Sequence, residues 1–257
     1  MLQAHSFLWN YLWVAPNVLL ILFGFLLWRR DRTQKFRAFL VFAFLSSLGD
    51  LAAYLADIIP SVTPTTFWRV IWVGLIVESI LKFLVIGEVF SHLLNPYPAI
   101  ARLGKNLLTG FGTILVLVAA VVAAFARPDS KFDIIFDAHI VEQTVFLVET
   151  GLIIFLFTFA AHFHLGWERL SFGILLGLGI SSCVHLATWA IIANTNPSEH
   201  MRMVFAFLNM GAYHISVLTW FYYLLVPGRV RVKPGGLPPS ADILAVWNRE
   251  LERLLQQ

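Results

Sequence analysis

Ionisable side chains within long apolar stretches are the residues of this sequence best suited to chemistry. A charged group at the centre of a bilayer costs about 2.5–3.5 kcal/mol by insertion measurements, so such residues usually serve a function. The polar residues at this depth form the predicted ligand or ion cavity: Asp50, Glu78, Lys82, Glu142, Glu149, His185, Asn209 and His214. The carboxyl groups outnumber the single lysine. They cannot all be ionised in a low-dielectric interior unless a bound cation or protonated histidines balance them.

The spacing of these residues places them on defined helix faces. Glu78 and Lys82 are four residues apart with the glutamate first, which is the favourable order for an ion pair. Glu142 and Glu149 lie two turns apart on one face of another helix. We therefore expect an acid-rich cavity in the outer half of a helix bundle. A hydrogen-bonded network that only fixes helix packing is the alternative interpretation.

Known cofactor chemistries can be compared with this set. The length and topology are similar to those of microbial rhodopsins, but the last apolar stretch contains no Schiff-base lysine, and Lys82 lies on the third. Retinal is therefore disfavoured. A b-type haem needs two axial histidines at matched depth, and His185 and His214 leave that alternative open. A mixed histidine and carboxylate metal site is chemically allowed but has no motif spacing behind it. We predict no cofactor, with haem as the less favoured alternative.

The sequence contains no recognisable catalytic motif, which favours a non-enzymatic protein and leaves an enzymatic role open. We expect a sensory or ligand-binding module whose polar cavity takes a small molecule, a proton or an ion. The first alternative is proton or cation translocation through the Asp, Glu and His network, although no repeat or broken helix of the transporter type is evident. The second alternative is a haem-binding electron-transfer subunit.

The composition indicates which kind of protein holds these polar residues in place. The chain has 257 residues, of which 59% are hydrophobic and 13% charged, and its mean hydropathy is +0.78. Soluble domains average about 45–50% apolar and about 25% charged residues. These values exclude a disordered protein, a nucleic-acid-binding protein and a disulfide scaffold. The single cysteine, Cys183, also excludes an intrachain disulfide.

Seven apolar stretches are long enough to cross about 30 Å of hydrocarbon as helices. They are residues 8–28, 37–59, 67–92, 107–126, 134–163, 171–193 and 202–226, with predicted connections at 29–35, 95–106 and 166–170. Residues 1–226 are therefore predicted to form an all-α bundle of seven transmembrane helices. The fourth helix has few polar residues, so we expect it to face lipid or another subunit.

Lysine and arginine residues indicate the orientation of the bundle. Most of them fall in one set of connections and in the C-terminal tail, and the opposite set holds only Arg69, Arg127, Lys131 and Arg202. The positive-inside rule then predicts an external N-terminus and a cytoplasmic C-terminus. We expect a multi-pass protein of the inner (plasma) membrane.

The C-terminal tail is predicted to be a separate unit. Residues 227–240 form a basic linker rich in proline and glycine, and residues 241–257 form a short amphipathic helix. Its apolar face carries Leu244, Trp247, Leu251 and Leu254. This face could lie on the membrane, dock on the bundle or bind a cytoplasmic protein. A homo-oligomer is also open, but the small residues Gly173 and Gly177 favour packing within the chain over a dimer interface.

Three stretches resemble a family of proteins. They are Gly87–Gly104, with Gly87-Glu-Val-Phe-Ser-His-Leu-Leu-Asn-Pro-Tyr-Pro98 at its start, Gly151–Gly179 around Leu165-Gly-Trp-Glu-Arg169, and Leu208-Asn-Met-Gly-Ala-Tyr213. Together they resemble an uncharacterised family of small bacterial seven-helix integral membrane proteins. The resemblance covers about two thirds of the chain. It implies a bacterial inner-membrane location and assigns no activity to any residue.

Overall fold

The computed structural model describes residues 5–30, 34–95, 97–125, 133–195 and 198–226, together with Arg249 and Arg253. Within these ranges the secondary structure consists of seven α-helices and contains no strand. The helices are α1 (Phe7–Arg29), α2 (Arg37–Ile58), α3 (Pro64–Leu94), α4 (Pro98–Phe125), α5 (Asp133–His162), α6 (Arg169–Thr195) and α7 (Glu199–Leu225). The all-α prediction is confirmed for this part of the chain.

Side-chain caps determine where several of these helices begin. The hydroxyls of Ser6, Thr63 and Ser198 accept hydrogen bonds from the backbone N–H of the third residue of α1, α3 and α7, respectively. Helix α2 has no cap of this kind on its own N-terminal residue. Instead, the carboxylate of Glu88 on α3 accepts hydrogen bonds from the backbone N–H groups of Ala38 and Phe39, at 3.0 and 3.3 Å. This contact fixes α2 against α3.

Several predicted helix boundaries differ from the structure. The connection predicted at residues 95–106 is largely helical, because α4 begins at Pro98. A proline at the first helical position loses no hydrogen bond and has the φ angle of a helix, so Pro98 begins α4 instead of prolonging the loop. Helix α6 likewise begins at Arg169, inside the predicted connection 166–170.

The predicted tail lies outside the described residues, apart from two positions. The linker 227–240 and the apolar-face residues Leu244, Trp247, Leu251 and Leu254 fall in this part of the chain. Arg249 and Arg253 are described, and both are helical and exposed.

The helices form a closed ring in which sequence neighbours pack together. Helices α1 and α7 contact each other and close the ring, and α3 lies inward, in contact with α5 and α6 as well as α2 and α4. Helix α4 contacts only α3 and α5 among the described helices, which agrees with its apolar sequence. The polar faces of the other helices therefore meet in one interior.

The outside of the bundle is apolar. Large exposed hydrophobic side chains occur on all the helices, among them Leu22, Phe25, Leu45, Leu48, Ile80, Leu84, Ile114, Leu117, Ile154, Ile191 and Leu218. Within the described residues, six helices are long and apolar enough to cross a membrane: α1, α2, α3, residues 142–162 of α5, residues 169–192 of α6, and α7. The protein thus has the helix length and composition of a multi-pass membrane protein.

A buried aromatic core lies in the half of the bundle away from the start of α1. The aromatic core consists of Phe23, Phe39, Phe42 and Trp220, all at most 1% exposed. The ring centroid of Phe39 lies 5.5 Å from that of Phe23 and 5.1 Å from that of Trp220, both in edge-to-face geometry. The indole nitrogen of Trp220 donates a hydrogen bond to the Ile174 carbonyl at 3.1 Å, so its one polar group is satisfied.

Glycines on α6 make room for this core. A Cβ atom at Gly177 would overlap the Trp220 ring, and one at Gly173 would overlap the Tyr223 side chain. Helices α6 and α7 can therefore approach closely only because both residues are glycine. The prediction that these glycines serve packing within the chain is confirmed.

Candidate functional site

A cavity of about 230 Å³ lies in the half of the bundle nearer the start of α1. Its wall includes Asn17, about 15 Å along α1 from Phe7 at 1.5 Å per residue, and Asp50, about 12 Å before the end of α2. The polar lining residues are Asn17, Asp50, Glu78, Ser79, Lys82, Glu142, Ser181, His185, Asn209 and Tyr213. They come from every helix except α4. Trp13 and Phe146 add aromatic surface to the wall.

Lys82 is the central cation of this cavity. Its amine lies 2.9 Å from Glu78 Oε1 and 3.5 Å from Glu149 Oε2. The same amine lies 4.7 Å from the centre of the Phe146 ring, within the range of a cation–π interaction. The side chain is only 8% exposed. Its charge is therefore already balanced by protein groups.

Glu149 is placed differently from the sequence prediction. It does not line the cavity, and its side chain is 0% exposed. Neither of its carboxylate oxygens has a hydrogen-bond partner among the described residues. Its one ion pair in that part of the chain is with Lys82. The structure therefore makes Glu149 a buried counter-charge behind the lysine.

His214 is also separated from the predicted set. Tyr213 lines the cavity, but His214 is the next residue and lies about 100° further around α7. Its ring contacts the Tyr11 ring on α1, with centroids 5.6 Å apart. The other histidine, His185, stacks on Phe146 at 4.4 Å and donates from Nδ1 to the Ser181 carbonyl. The two histidines therefore have different neighbours.

The remaining predicted residues are brought together. Asp50, Glu78, Lys82, Glu142, His185 and Asn209 all line the cavity. Asn209 also accepts a hydrogen bond from the Thr188 hydroxyl at 3.0 Å, which links α6 to α7.

Asn17 is a lining residue that the sequence interpretation missed. It is 1% exposed, its amide donates to the Trp13 carbonyl at 2.9 Å, and its oxygen accepts from the Tyr213 hydroxyl at 3.4 Å. The available signal was a single asparagine in an otherwise apolar stretch, where an amide needs a partner. The hydrogen bond to Tyr213 joins α1 to α7 at the cavity.

Two further spaces adjoin the cavity at its carboxylates. A space of about 290 Å³ lies between α2, α3 and Glu142 of α5, and reaches Phe67 and Trp68 near the start of α3. A second space, of about 440 Å³, lies between α2 and α3 and is named here the α2–α3 groove. Asp50 and Glu78 line both of these spaces and the cavity. Asp50 and Glu78 thus lie where the cavity and the two further spaces meet.

The opposite side of the cavity is closed by apolar packing. One turn beyond Lys82, Val85 and Ile86 are 0% and 1% exposed, and one turn beyond Tyr213, Val217 is 0% exposed. The aromatic core follows directly. The cavity therefore ends inside the bundle.

The cavity's charge arrangement favours a cation over an anion. Asp50, Glu78 and Glu142 line it, and its lysine is held by Glu78 and by the buried Glu149. No group of three or more His, Cys, Asp or Glu side chains suited to a metal ion occurs in the part of the chain that the structure describes.

Comparisons with known proteins identify no relative. No family model matches the chain, and no curated protein or solved structure is similar to it.

Proposed function

We propose that the protein is a seven-span membrane receptor or ligand-binding module for a small organic cation, with an external N-terminus and a cytoplasmic C-terminus. The orientation is supported by basic residues such as Arg29, Arg37, Arg102 and Arg169, which occur where α1 ends and where α2, α4 and α6 begin. We also propose, from the resemblance described above, that it belongs to the bacterial inner membrane and to an uncharacterised seven-helix family.

The excess of carboxylates around an already paired lysine carries the proposal. A small cation that enters the cavity meets Asp50, Glu78 and Glu142, while the charge of Lys82 is offset by two glutamates. An anion would have to displace one of these ion pairs. Electrostatic attraction between opposite charges is strong at such a site because little water screens it.

The shape of the cavity supports a small ligand with an organic surface. Its volume of about 230 Å³ is below the roughly 300–1,000 Å³ typical of sites for drug-sized molecules. Trp13 and Tyr213 present aromatic surface, which attracts organic ammonium groups. We therefore assign a primary ammonium compound of a few heavy atoms as the ligand class.

Closure by the aromatic core favours binding over passage. A translocation path would have to cross Phe39, Phe42 and Trp220, which are at most 1% exposed. Proteoliposomes provide the test of this point. We expect no cation flux and no pH-gradient-driven proton flux above the level of empty liposomes. A flux that Glu149→Gln reduces would show that the protein translocates ions, and the binding proposal would be abandoned.

Binding is tested by calorimetric titration of the purified protein with ethylammonium chloride. Asp50→Asn should weaken binding by about 10- to 100-fold, because a hydrogen bond to a charged group contributes about 1.5–3 kcal/mol. Asp57→Asn is the matched control on the same helix, since Asp57 faces His5 at 3.7 Å and does not line the cavity. Absence of ethylammonium binding at millimolar concentration, or equal loss in both variants, would contradict the proposal.

Two simple measurements address the remaining parts of the proposal. An absorption spectrum of the purified protein should lack a Soret band, because His185 and His214 contact different neighbours. Deletion of residues 241–257 should abolish capture of a cytoplasmic partner while the bundle keeps its thermal stability. Unchanged capture would remove the signalling role of the tail and leave ligand binding intact.

A further inference from the structure

The α2–α3 groove has largely apolar walls and a charged floor. The walls are formed mainly by Leu45, Ala52, Val70, Val73 and Val77, and the polar residues Ser46, Thr66 and Arg69 also line the groove. The floor is formed by Asp50 and Glu78, the same carboxylates that line the polar cavity. A molecule in the groove therefore meets mainly apolar side chains, with the two carboxylates at the level of the polar cavity and Arg69 about 14 Å away along α3, nearer the start of that helix.

The groove opens on the side of the bundle. Leu45 and Val73 line it from the two helices, and they are 45% and 63% exposed on the apolar outer surface. Lipid covers this surface in a membrane-spanning bundle. The groove is thus accessible from the hydrocarbon region of the bilayer.

Two glycines keep the groove open towards the adjoining space near Trp68. A Cβ atom at Gly74 would meet no atom within 4 Å, and a Cβ atom at Gly49 would lie 3.9 Å from the Gly74 Cα atom. Both glycines line the groove and the adjoining space near Trp68. A Cβ atom at position 74 would therefore enter free space.

We propose that the ligand is a single-chain amphiphile, with an ammonium head at Asp50 and Glu78 and an apolar chain in the α2–α3 groove. This inference rests on the proposed function and extends it to a ligand that enters sideways from the bilayer. The opposite charges at the floor select the ammonium head. Asp50 lies about 12 Å before the end of α2, which is deeper than the level at which the headgroup of an ordinary two-chain lipid is anchored.

The test measures how binding depends on chain length. Protein in lipid nanodiscs is titrated with ethyl-, butyl- and hexylammonium chloride, and affinity is referred to the free aqueous concentration. Affinity should rise about fourfold per added methylene, since each buried methylene contributes that factor. Hexanol, which has the same chain and no charge, should bind at least tenfold more weakly than hexylammonium at this site.

Filling the groove should remove the gain from the chain. Gly74→Leu should lower the ratio of hexylammonium to ethylammonium affinity towards one, and Gly74→Ala should lower it in part. Gly87→Leu is the matched control, because it lies on the same helix, has no atom within 4 Å of an added Cβ and does not line the groove. That variant should keep the wild-type ratio.

Each alternative outcome has a defined meaning. If ethylammonium does not bind, the proposed function fails and the groove has no ligand to hold. If ethylammonium binds but chain length has no effect, or Gly74→Leu and Gly87→Leu behave alike, only the groove inference is overturned. Equal binding of hexanol and hexylammonium would identify ordinary acyl chains as the occupants. A change of oligomeric mass in Gly74→Leu would identify a second copy of the chain as the occupant of the groove. Either of these two results would overturn the proposal of an amphiphilic ligand.

Discussion

Replacement of Lys82 by methionine should destabilise the protein by about 3–5 kcal/mol, because it removes the counter-charge of a buried carboxylate. Glu149 is 0% exposed, has no hydrogen-bond partner among the described residues, and lies 3.5 Å from the Lys82 amine. Loss of one member of a buried ion pair typically costs this amount, since the remaining charge is left without compensation. Methionine keeps most of the volume of the lysine side chain, so the lost packing is small.

Lys35→Met provides the matched control for this prediction. The Lys35 amine lies 2.7 Å from Glu168 Oε2, which is closer than either contact of Lys82, but its side chain is 49% exposed. Exposed ion pairs contribute about 0–1 kcal/mol because water and salt screen them. Lys35→Met should therefore cost much less, although the ion pair that it removes is shorter.

A double variant separates the lost pair from other effects of the substitution. Lys82→Met with Glu149→Met should be more stable than Lys82→Met alone, since no uncompensated charge remains behind the cavity. The free energy of unfolding is measured by denaturant titration of the protein in mixed micelles. Additive losses in the double variant, or equal losses for Lys82→Met and Lys35→Met, would refute this account of the site.

Three further substitutions test the packing and the helix ends by the same unfolding measurement. Gly177→Ala should lower the free energy of unfolding by about 1–3 kcal/mol, because the new methyl group overlaps the Trp220 ring. Gly211→Ala is the control and should cost nothing, since no atom lies near the added Cβ. Equal effects of the two substitutions would contradict the close approach of α6 and α7. Glu88→Gln should lower the free energy of unfolding by about 1 kcal/mol, since it weakens the hydrogen bonds to the backbone at the start of α2. No change in stability would mean that water replaces the Glu88 carboxylate as the partner of these N–H groups. His164→Gly should stabilise the protein by about 1 kcal/mol, because His164 has φ of 52°, a conformation that glycine adopts more easily. A loss of stability would show that the contacts of the histidine side chain outweigh the backbone strain.

Much of the fold follows from the apolar pattern of the sequence. The predicted stretches 8–28 and 37–59 differ by only one residue at any end from α1 and α2, because bilayer-length apolar runs have few alternatives to a helix. The error at Pro98 has a different origin. Proline both stops a helix and begins one, and the sequence alone does not reveal which role it takes.

The candidate site was only partly predictable. Glu78 and Lys82 were paired correctly because both lie on one helix, where spacing determines which side chains meet. The positions of Glu149 and His214 depend on how α5 and α7 are rotated against their neighbours, and long-range packing sets that rotation. Asn17 was overlooked because one amide among apolar residues forms no periodic pattern.

The pairing of Glu78 with Lys82 also bears on how the protein enters the membrane during synthesis. An isolated lysine opposes insertion of a helix by about 2.5–3.5 kcal/mol, as does an isolated acidic group. Their amine and carboxylate lie 2.9 Å apart within α3, so this helix can reach the translocon as a nearly neutral segment before α5 has been made. Glu149 arrives later in the chain and meets a lysine that is already held in position. The short-range pair therefore needs only α3 itself, whereas the long-range pair needs α3 and α5 to be packed together.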